Sequence, residues 1–308
     1  MEISTDFTDP YRWKRTLRSK LLTCFDLVRL PNLFTAAADI LAGFFFAGGL
    51  AEQWPMTLRL CLASICLYAG GAVLNDVCDA QCDVLQRPQR PIPSGRVSRR
   101  AATRLVWVLL ALGVVLAATV SMRSLAIAVA ICFSIVLYNY VLKSTVVAPC
   151  VMGACRALNL ALGMLPVSSL LSGEYLNPIV LYWLYVTSAT FFAVDEAIES
   201  RPLRLYAGTL GITIAALFLA ACLGFRPAVD RGPVLLAMIL AGIVAWTGFA
   251  AARSPRPRVV QTAVRRFVIL MVVFDACLAW AGAGPAAALA TGSLLVPTLL
   301  LAYGFRMT

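Results

Sequence analysis

The chain of 308 residues is 61% hydrophobic and only 13% charged, with a mean hydropathy of +0.84, and this composition excludes an ordinary soluble domain. Its net charge of +11 does not indicate nucleic-acid binding, because the basic residues lie in short loops between apolar runs of roughly 20 residues. It has no histidine, which excludes histidine bases and histidine metal or haem ligands, and most of its ten cysteines lie in apolar segments, where they pack as small hydrophobic residues.

The apolar runs predict an all-α protein, a polytopic bundle of transmembrane helices that forms one domain over residues 1–308. Residues 1–30 are basic and aromatic, and we expect them to lie on the cytoplasmic membrane surface. Ten apolar segments follow, near residues 33–50, 57–77, 102–120, 124–142, 146–170, 178–197, 204–224, 233–252, 264–283 and 286–304.

The basic residues are distributed unevenly between the two sides of this bundle. If the N-terminus is cytoplasmic and the sides alternate, 21 of the 26 Lys and Arg residues lie inside and four lie outside, with Arg156 within a span. This bias follows the positive-inside rule. It predicts a multi-pass protein, of the inner membrane if the cell is bacterial, with both termini and both acidic loops in the cytoplasm.

The stretch from Tyr68 to Ser98 places acidic residues at the end of an apolar helix and basic residues in the loop that follows. Three carboxylates fall on one helix face: Asp76, Asp79 and Asp83. They would repel one another, and each would cost about 2.5–3.5 kcal/mol to insert into a membrane, so a cation must offset them. Clustered carboxylates suit Mg²⁺, and the loop arginines, among them Arg90 and Arg96, suit phosphate groups. The stretch therefore predicts a Mg²⁺–diphosphate site at a membrane surface.

The motif N-D-x-x-D-x-x-x-D, which starts at Asn75 and is followed by Arg-Pro-Ile-Pro-Ser-Gly from Arg90, resembles the first signature of the UbiA superfamily. Members of this superfamily are intramembrane prenyltransferases, which move an isoprenoid chain from its diphosphate to an acceptor that is often aromatic. The segments RLPN (29–32), ADILAG (38–43) and CRALN (155–159) are most similar to its EboC-like branch. The resemblance implies nine core spans, so the last apolar segment is a tenth that departs from the pattern.

The resemblance also implies roles for individual residues. Mg²⁺ would be held by the three acids of the first motif with Asn75 as a neutral ligand. A second Mg²⁺ would be held by the second acidic motif, usually D-x-x-x-D and here Asp195 and Glu199, which we expect to lie one helical turn apart, with Glu196 pointing elsewhere. Lys143 matches a lysine that contacts the diphosphate, together with Arg90 and Arg96. Two alternatives remain open: a snorkelling lysine, and an acid pair that only balances nearby arginines.

Several polar residues lie inside or beside the apolar segments. A charge such as Arg156 is costly there, so it is expected to face a polar cavity or a buried partner. Asp39 and Asp275 also lie within spans, and either of them would pair with Arg156 or orient the acceptor. The residues assigned to substrate binding are Arg29, Asn32, Asn75, Arg90, Arg96, Arg156 and Asn159.

The sequence thus predicts a Mg²⁺-dependent prenyltransferase that uses an isoprenyl diphosphate and a small acceptor, often aromatic, within the lipid bilayer. The alternative is a UbiA-like protein that binds or carries an isoprenoid or aromatic metabolite without transferring it, which the irregular second motif favours. A CDP-alcohol phosphotransferase would require D-G-x-x-A-R, whereas Val77 follows Asp76 here. A transporter would not explain the paired acidic and arginine-rich loops.

Overall fold

The computed structural model describes residues 12–167, 173–226 and 230–302, and within these ranges every regular element is a helix. The α-helices are α1 (Arg12–Leu27), α2 (Leu30–Phe46), α3 (Trp54–Gln86), α4 (Arg99–Ala118), α5 (Met122–Leu137), α6 (Ala148–Met164), α7 (Gly173–Ala193), α8 (Pro202–Gly224), α9 (Gly232–Arg253), α10 (Pro257–Ala283), α11 (Pro285–Gly292) and α12 (Leu295–Ala302). A short 3₁₀ turn, Ala51–Gln53, precedes α3, and a π-helical segment, Tyr138–Leu142, continues α5. The predicted all-α fold is confirmed.

Among the described residues, eight helical segments are long and apolar enough to cross a membrane, and the number is nine if Lys20–Leu27 and α2, which are bent by 48°, form one span. The last of the eight, Pro285–Ala302, combines α11 and α12, while α6, with 17 residues, is a shorter apolar helix outside this count. Each predicted apolar segment therefore corresponds to a helix among the described residues. The chain is a multi-pass membrane protein.

Consecutive helices pack side by side, and α2 lies at the centre of the arrangement, in contact with α3, α6 and α10. Because α10 returns to α2, the bundle closes on itself. One apolar cluster is built mainly from α3, α4 and α5 and includes Leu60, Val73 and Leu110. A second is built mainly from α7 to α10 and includes Leu219 and Phe267.

Two glycines allow α2 and α6 to approach closely. A Cβ atom on Gly43 would lie 2.2 Å from the carbonyl oxygen of Leu160, and a Cβ atom on Gly163 would lie 2.3 Å from that of Ile40. Small residues permit such contacts between membrane helices. The close approach brings the polar residues of α2 and α6 within hydrogen-bonding distance of one another.

The second acidic segment is not helical, so the prediction that Asp195 and Glu199 lie one helical turn apart is wrong. Helix α7 ends at Ala193, turns follow over residues 194–197, and α8 begins at Pro202. Arg201 has extended dihedral angles, φ −72° and ψ 121°, as expected for a residue that precedes proline. The proline therefore separates the two helices, and the acids lie on the connection between them.

Candidate active site

The three acids of the first motif surround one arginine. Asp76 and Asp83 are buried and Asp79 is partly exposed, and all three face the loop that follows α3. Nη1 of Arg90 lies 2.7 Å from Asp83 Oδ2, 3.3 Å from Asp76 Oδ1 and 3.9 Å from Asp79 Oδ2. The prediction that the acids share one face is confirmed. The loop folds back on the helix end, so that a single buried guanidinium balances the carboxylates.

Two further basic side chains reach this cluster from other helices. Arg29 Nη2 lies 3.0 Å from Asp76 Oδ1, and Lys143 Nζ lies 2.5 Å from Asp79 Oδ1. With its amide oriented by its neighbours, Asn75 donates from Nδ2 to Asp79 Oδ2 over 3.1 Å and accepts from Lys143 Nζ at Oδ1 over 2.9 Å. The residues of the first motif, with Arg29, Arg90 and Lys143, thus meet at the junction of α2, α3 and the π-helical segment.

The backbone of Arg29 adopts a left-handed conformation, φ 54° and ψ 56°, at the bend between α1 and α2. Among the described residues it is the only non-glycine residue with positive φ. Such conformations carry a steric cost for residues with a Cβ atom. The strain lies at a residue whose side chain contacts the acidic cluster.

Two residues predicted to bind substrate lie apart from the acids. Arg96 is exposed, and its Nη2 donates to the carbonyl of Gln89 over 2.6 Å and to Asp26 over 3.4 Å. Asn32 is buried and donates to the hydroxyl of Tyr68 over 3.0 Å. Arg96 therefore lies at the rim of the site, and Asn32 lies beneath it.

The second acidic segment presents Glu196 to the first, so the expectation that Glu196 points elsewhere is wrong. Its Oε1 accepts from Arg87 Nη2 over 3.3 Å, and its side chain is 15% exposed. Asp195 instead pairs with Arg204, and Glu199 is exposed. Burial raises the pKa of Glu196 above its ordinary value, although Arg87 opposes this shift. Residue spacing reveals side-chain direction only within a regular element, and this segment is irregular.

A second polar cluster lies deeper, between α2, α6, α7 and α10. Asp39 Oδ2 accepts from Arg156 Nη1 and from Asn159 Nδ2, each over 2.8 Å. Asp39 Oδ1 accepts from the hydroxyl of Tyr182 over 2.5 Å, and the same hydroxyl lies 3.4 Å from Asp275 Oδ2. Of the two intramembrane acids, Asp39 is therefore the direct partner of Arg156. Tyr182 was not predicted, because a single tyrosine in an apolar segment gives no signal until its neighbours are known.

A cavity of about 120 Å³ connects the regions of these two clusters. Arg29 and Asn75 line it near the first motif, and Arg156 and Asn159 line it near the deeper cluster. Its walls are otherwise largely apolar and include Leu67, Gly71, Ala72, Ile131 and Ile135. The charged cluster therefore lies at one end of an apolar compartment.

The donor set of the first motif suits a hard divalent cation, because it consists of carboxylate and amide oxygens. In the parts of the chain that the structure describes, no three acidic or thiol side chains form a ready metal site. Nη1 of Arg90 occupies the position that the three carboxylates share. A cation would be held by Asp76, Asp79 and Asp83 once Arg90 moved aside, and on this chemistry the residues fit Mg²⁺.

The model of the UbiA prenyltransferase family matches residues 36–267 of the chain. Digeranylgeranylglyceryl phosphate synthase of Methanopyrus kandleri is 34% identical over 146 residues, which cover 46% of this chain and 53% of that protein. The synthase of Sulfolobus acidocaldarius is 29% identical over 229 residues, which cover 72% of this chain and 75% of that protein. The chain thus spans about half the length of the first of these relatives and three quarters of the second.

Solved structures share the fold. A UbiA homologue from Archaeoglobus fulgidus superimposes with a TM-score of 0.67 at 12% identity, covering 88% of this chain and 99% of that one. The structure of a digeranylgeranylglyceryl phosphate synthase superimposes with a TM-score of 0.66 at 19% identity, covering 86% and 99%. The A. fulgidus homologue is also known bound to GPP and Mg²⁺, with a TM-score of 0.63, 12% identity and coverage of 88% and 99%. The family match extends over most of the chain, and the chain belongs to the UbiA prenyltransferase family.

Proposed function

We propose that the chain is a Mg²⁺-dependent prenyltransferase, formed by a single UbiA-like domain over residues 1–308, that moves an isoprenoid chain from its diphosphate to an acceptor within the membrane. The observation that carries this proposal is the cluster of three carboxylates and three basic side chains at one end of an apolar cavity. The carboxylates would hold a metal, the basic groups would bind a diphosphate, and the cavity would accommodate an isoprenoid chain.

The acids of the first motif and Asn75 would hold Mg²⁺, which when bound supplies Lewis-acid stabilisation of the diphosphate charge. Asp195 and Glu199 would hold a second Mg²⁺. This role requires Asp195 to leave Arg204, its partner in the unliganded protein. The ion pair between Arg87 and Glu196 supports the proposal, because it holds the second acidic segment beside the first.

Transfer breaks the allylic C–O bond, the electron pair leaves with the diphosphate, and the acceptor's nucleophile forms the new bond to the allylic carbon. The proton that this nucleophile loses passes to the released diphosphate. Arg29 and Lys143, together with Arg90 once it has moved aside for the metal, can stabilise the negative charge on the leaving group. Arg96, at the rim, would contact the outer part of the diphosphate. The apolar walls of the cavity exclude water, which would otherwise intercept the allylic cation.

We propose a small acceptor that enters the same cavity. The resemblance at the sequence level implies an aromatic acceptor, whereas the curated relatives are named for a glyceryl phosphate product. The names of the relatives favour a glyceryl phosphate, and the two classes can be compared directly in one assay.

The proposal is tested with purified protein, a panel of allylic diphosphates and both acceptor classes, by measuring diphosphate release with and without Mg²⁺. We expect Asp76→Asn and Asp83→Asn to lower the rate by about 10²–10³-fold, because they remove charge at the metal site while preserving side-chain size. Glu52→Gln, a change in an exposed acid before α3, is the matched control and should retain the wild-type rate. Wild-type rates in folded Asp76→Asn and Asp83→Asn would contradict the metal assignment. Binding of donor and acceptor without release by wild type would favour a carrier.

A further inference from the structure

The π-helical segment at the end of α5 directs an asparagine into the cavity. Asn139 is 8% exposed, and it lines the cavity together with Tyr138 and Ile135. Its Nδ2 donates to the carbonyl oxygen of Ile135 over 2.9 Å. Since a carbonyl can accept only from the NH₂ end of the amide, this bond fixes the orientation of the side chain. Short π-helical segments within α-helices occur frequently at functional sites.

The amide oxygen of Asn139 has no hydrogen-bond partner among the residues that the structure describes. Buried polar atoms of this kind are uncommon and call for an explanation, such as a bound water or ligand. The atom is an acceptor with two lone pairs, so its partner must be a donor. A molecule in the cavity that carries a hydroxyl group would supply that donor.

The position of Asn139 relates this oxygen to the proposed reaction. Lys143, four residues further along the chain, contacts Asp79 of the first motif, and Asn75 of that motif lines the same cavity. Across the cavity, α3 contributes the small residues Gly71 and Ala72, which leave room for a ligand. Asn139 thus lines the cavity near the site proposed for the diphosphate, where the acceptor must meet the allylic carbon.

We propose that Asn139 binds the acceptor, with its Oδ1 accepting a hydrogen bond from an acceptor hydroxyl, so that the acceptor is an alcohol or a phenol. This inference rests on the proposed function and deepens it, because it defines which group of the acceptor is recognised. Asn139 makes one hydrogen bond to the helix and offers its second polar atom to the ligand.

The test compares the binding of paired probes to the full-length protein in detergent, with Mg²⁺ and a non-reactive thio-analogue of an allylic diphosphate present. One pair is a monoprenyl ether of glyceryl phosphate and its O-methyl derivative, and the other is 4-hydroxybenzoate and 4-methoxybenzoate. In at least one pair, wild type should bind the hydroxyl form about tenfold more tightly than the methylated form, as expected for one buried hydrogen bond. The pair that shows the preference distinguishes an alcohol from a phenol.

Asn139→Leu should abolish this preference while leaving affinity for the diphosphate analogue unchanged. Ser134→Ala is the matched control, because Ser134 lies on α5, which the π-helical segment continues, and its hydroxyl donates to the carbonyl of Ala130. If the leucine variant does not fold, Asn139→Thr can keep a bond to Ile135 without presenting an amide oxygen, and it should lose the preference likewise. A preference that survives in the Asn139 variants, or that wild type lacks in both pairs, would overturn the assignment. Diphosphate release by the same wild-type preparation shows separately whether the proposed transfer occurs.

Discussion

Arg156 illustrates how a buried charge is stabilised at the scale of single residues. Its guanidinium contacts Asp39, donates to Thr35 Oγ1 over 2.6 Å and lies over the ring of Tyr68, with Cζ 4.9 Å from the centroid. Each contact comes from a different position on α2 or α3, so the arginine connects three helices. Its removal would leave Asp39 as an uncompensated charge inside the membrane.

We therefore expect Arg156→Leu to destabilise the protein by about 3–5 kcal/mol, the usual cost of removing one member of a buried ion pair. Arg123→Leu, at an exposed position at the start of α5, should have little effect. The double variant Arg156→Leu with Asp39→Leu should recover part of the loss, because neither charge is then left alone. Thermal unfolding in detergent measures the stability of all three variants. Equal, negligible shifts in the melting temperature of Arg156→Leu and Arg123→Leu would show that Arg156 has no buried role.

Glu196 should make stability depend on pH. Burial raises its pKa above the ordinary value of 4.5, so the folded protein binds this proton more tightly than the unfolded chain does. Between 4.5 and the raised pKa the folded state binds more protons, and stability must fall as pH rises through that window. The melting temperature of wild type should therefore decline relative to Glu196→Gln from pH 4.5 upward. The melting temperature of Glu199→Gln, an exposed change in the same segment, should follow that of wild type at each pH. If wild type declined relative to Glu199→Gln as well, Glu196 would be excluded as the cause.

The sequence allowed the acids of the first motif to be predicted, because helical spacing determines which side chains share a face. It did not allow the orientation of Glu196 or the hydrogen bond of Tyr182 to be predicted. Glu196 lies on an irregular connection where spacing carries no direction, and Tyr182 acquires its role from residues distant in the chain. The unpaired oxygen of Asn139 depends on a π-helical segment, which the sequence pattern did not indicate.

At the scale of helices, the contact between α2 and α6 positions the deeper polar cluster. Asp39 and Gly43 lie one turn apart on α2, and Asn159 and Gly163 lie one turn apart on α6. The glycines allow the backbones to meet, and the polar side chains on the neighbouring turns then reach each other. Hydropathy located both helices, but it did not identify which faces would be in contact.

Substitution at these glycines should separate the two helices. We expect Gly163→Ala and Gly43→Ala to destabilise the protein strongly, because each new Cβ atom would lie within 2.3 Å of a backbone oxygen. Gly242→Ala on α9 is the control, since a Cβ atom there meets nothing within 4 Å and alanine favours the helix. The test is the melting temperature of each variant in detergent. If Gly242→Ala lowered it as much as the other two substitutions, a specific effect of the α2–α6 contact would be ruled out.

For the molecule as a whole, the positive-inside rule predicts that the first acidic motif lies in the cytoplasm. A single cysteine introduced near Gly173 in a cysteine-free background should react with an impermeant reagent from outside intact cells. One near Gly95 should react only after permeabilisation, because the 21-to-4 distribution of basic residues places it inside. Labelling of both from the same side would contradict this orientation.

The pairing of Arg90 with three carboxylates has a thermodynamic consequence for ligand binding. The groups proposed to hold a metal and those proposed to hold a diphosphate form ion pairs with one another. A metal ion arriving alone must displace Arg90 and leave it without a counter-ion, and a diphosphate arriving alone must draw the same arginine away from its acids. When both arrive, each supplies the partner that the other removes, so that each ligand strengthens the binding of the other by the same factor. On the proposed function, metal and diphosphate would therefore bind with positive cooperativity, and the protein alone would bind free divalent cations weakly.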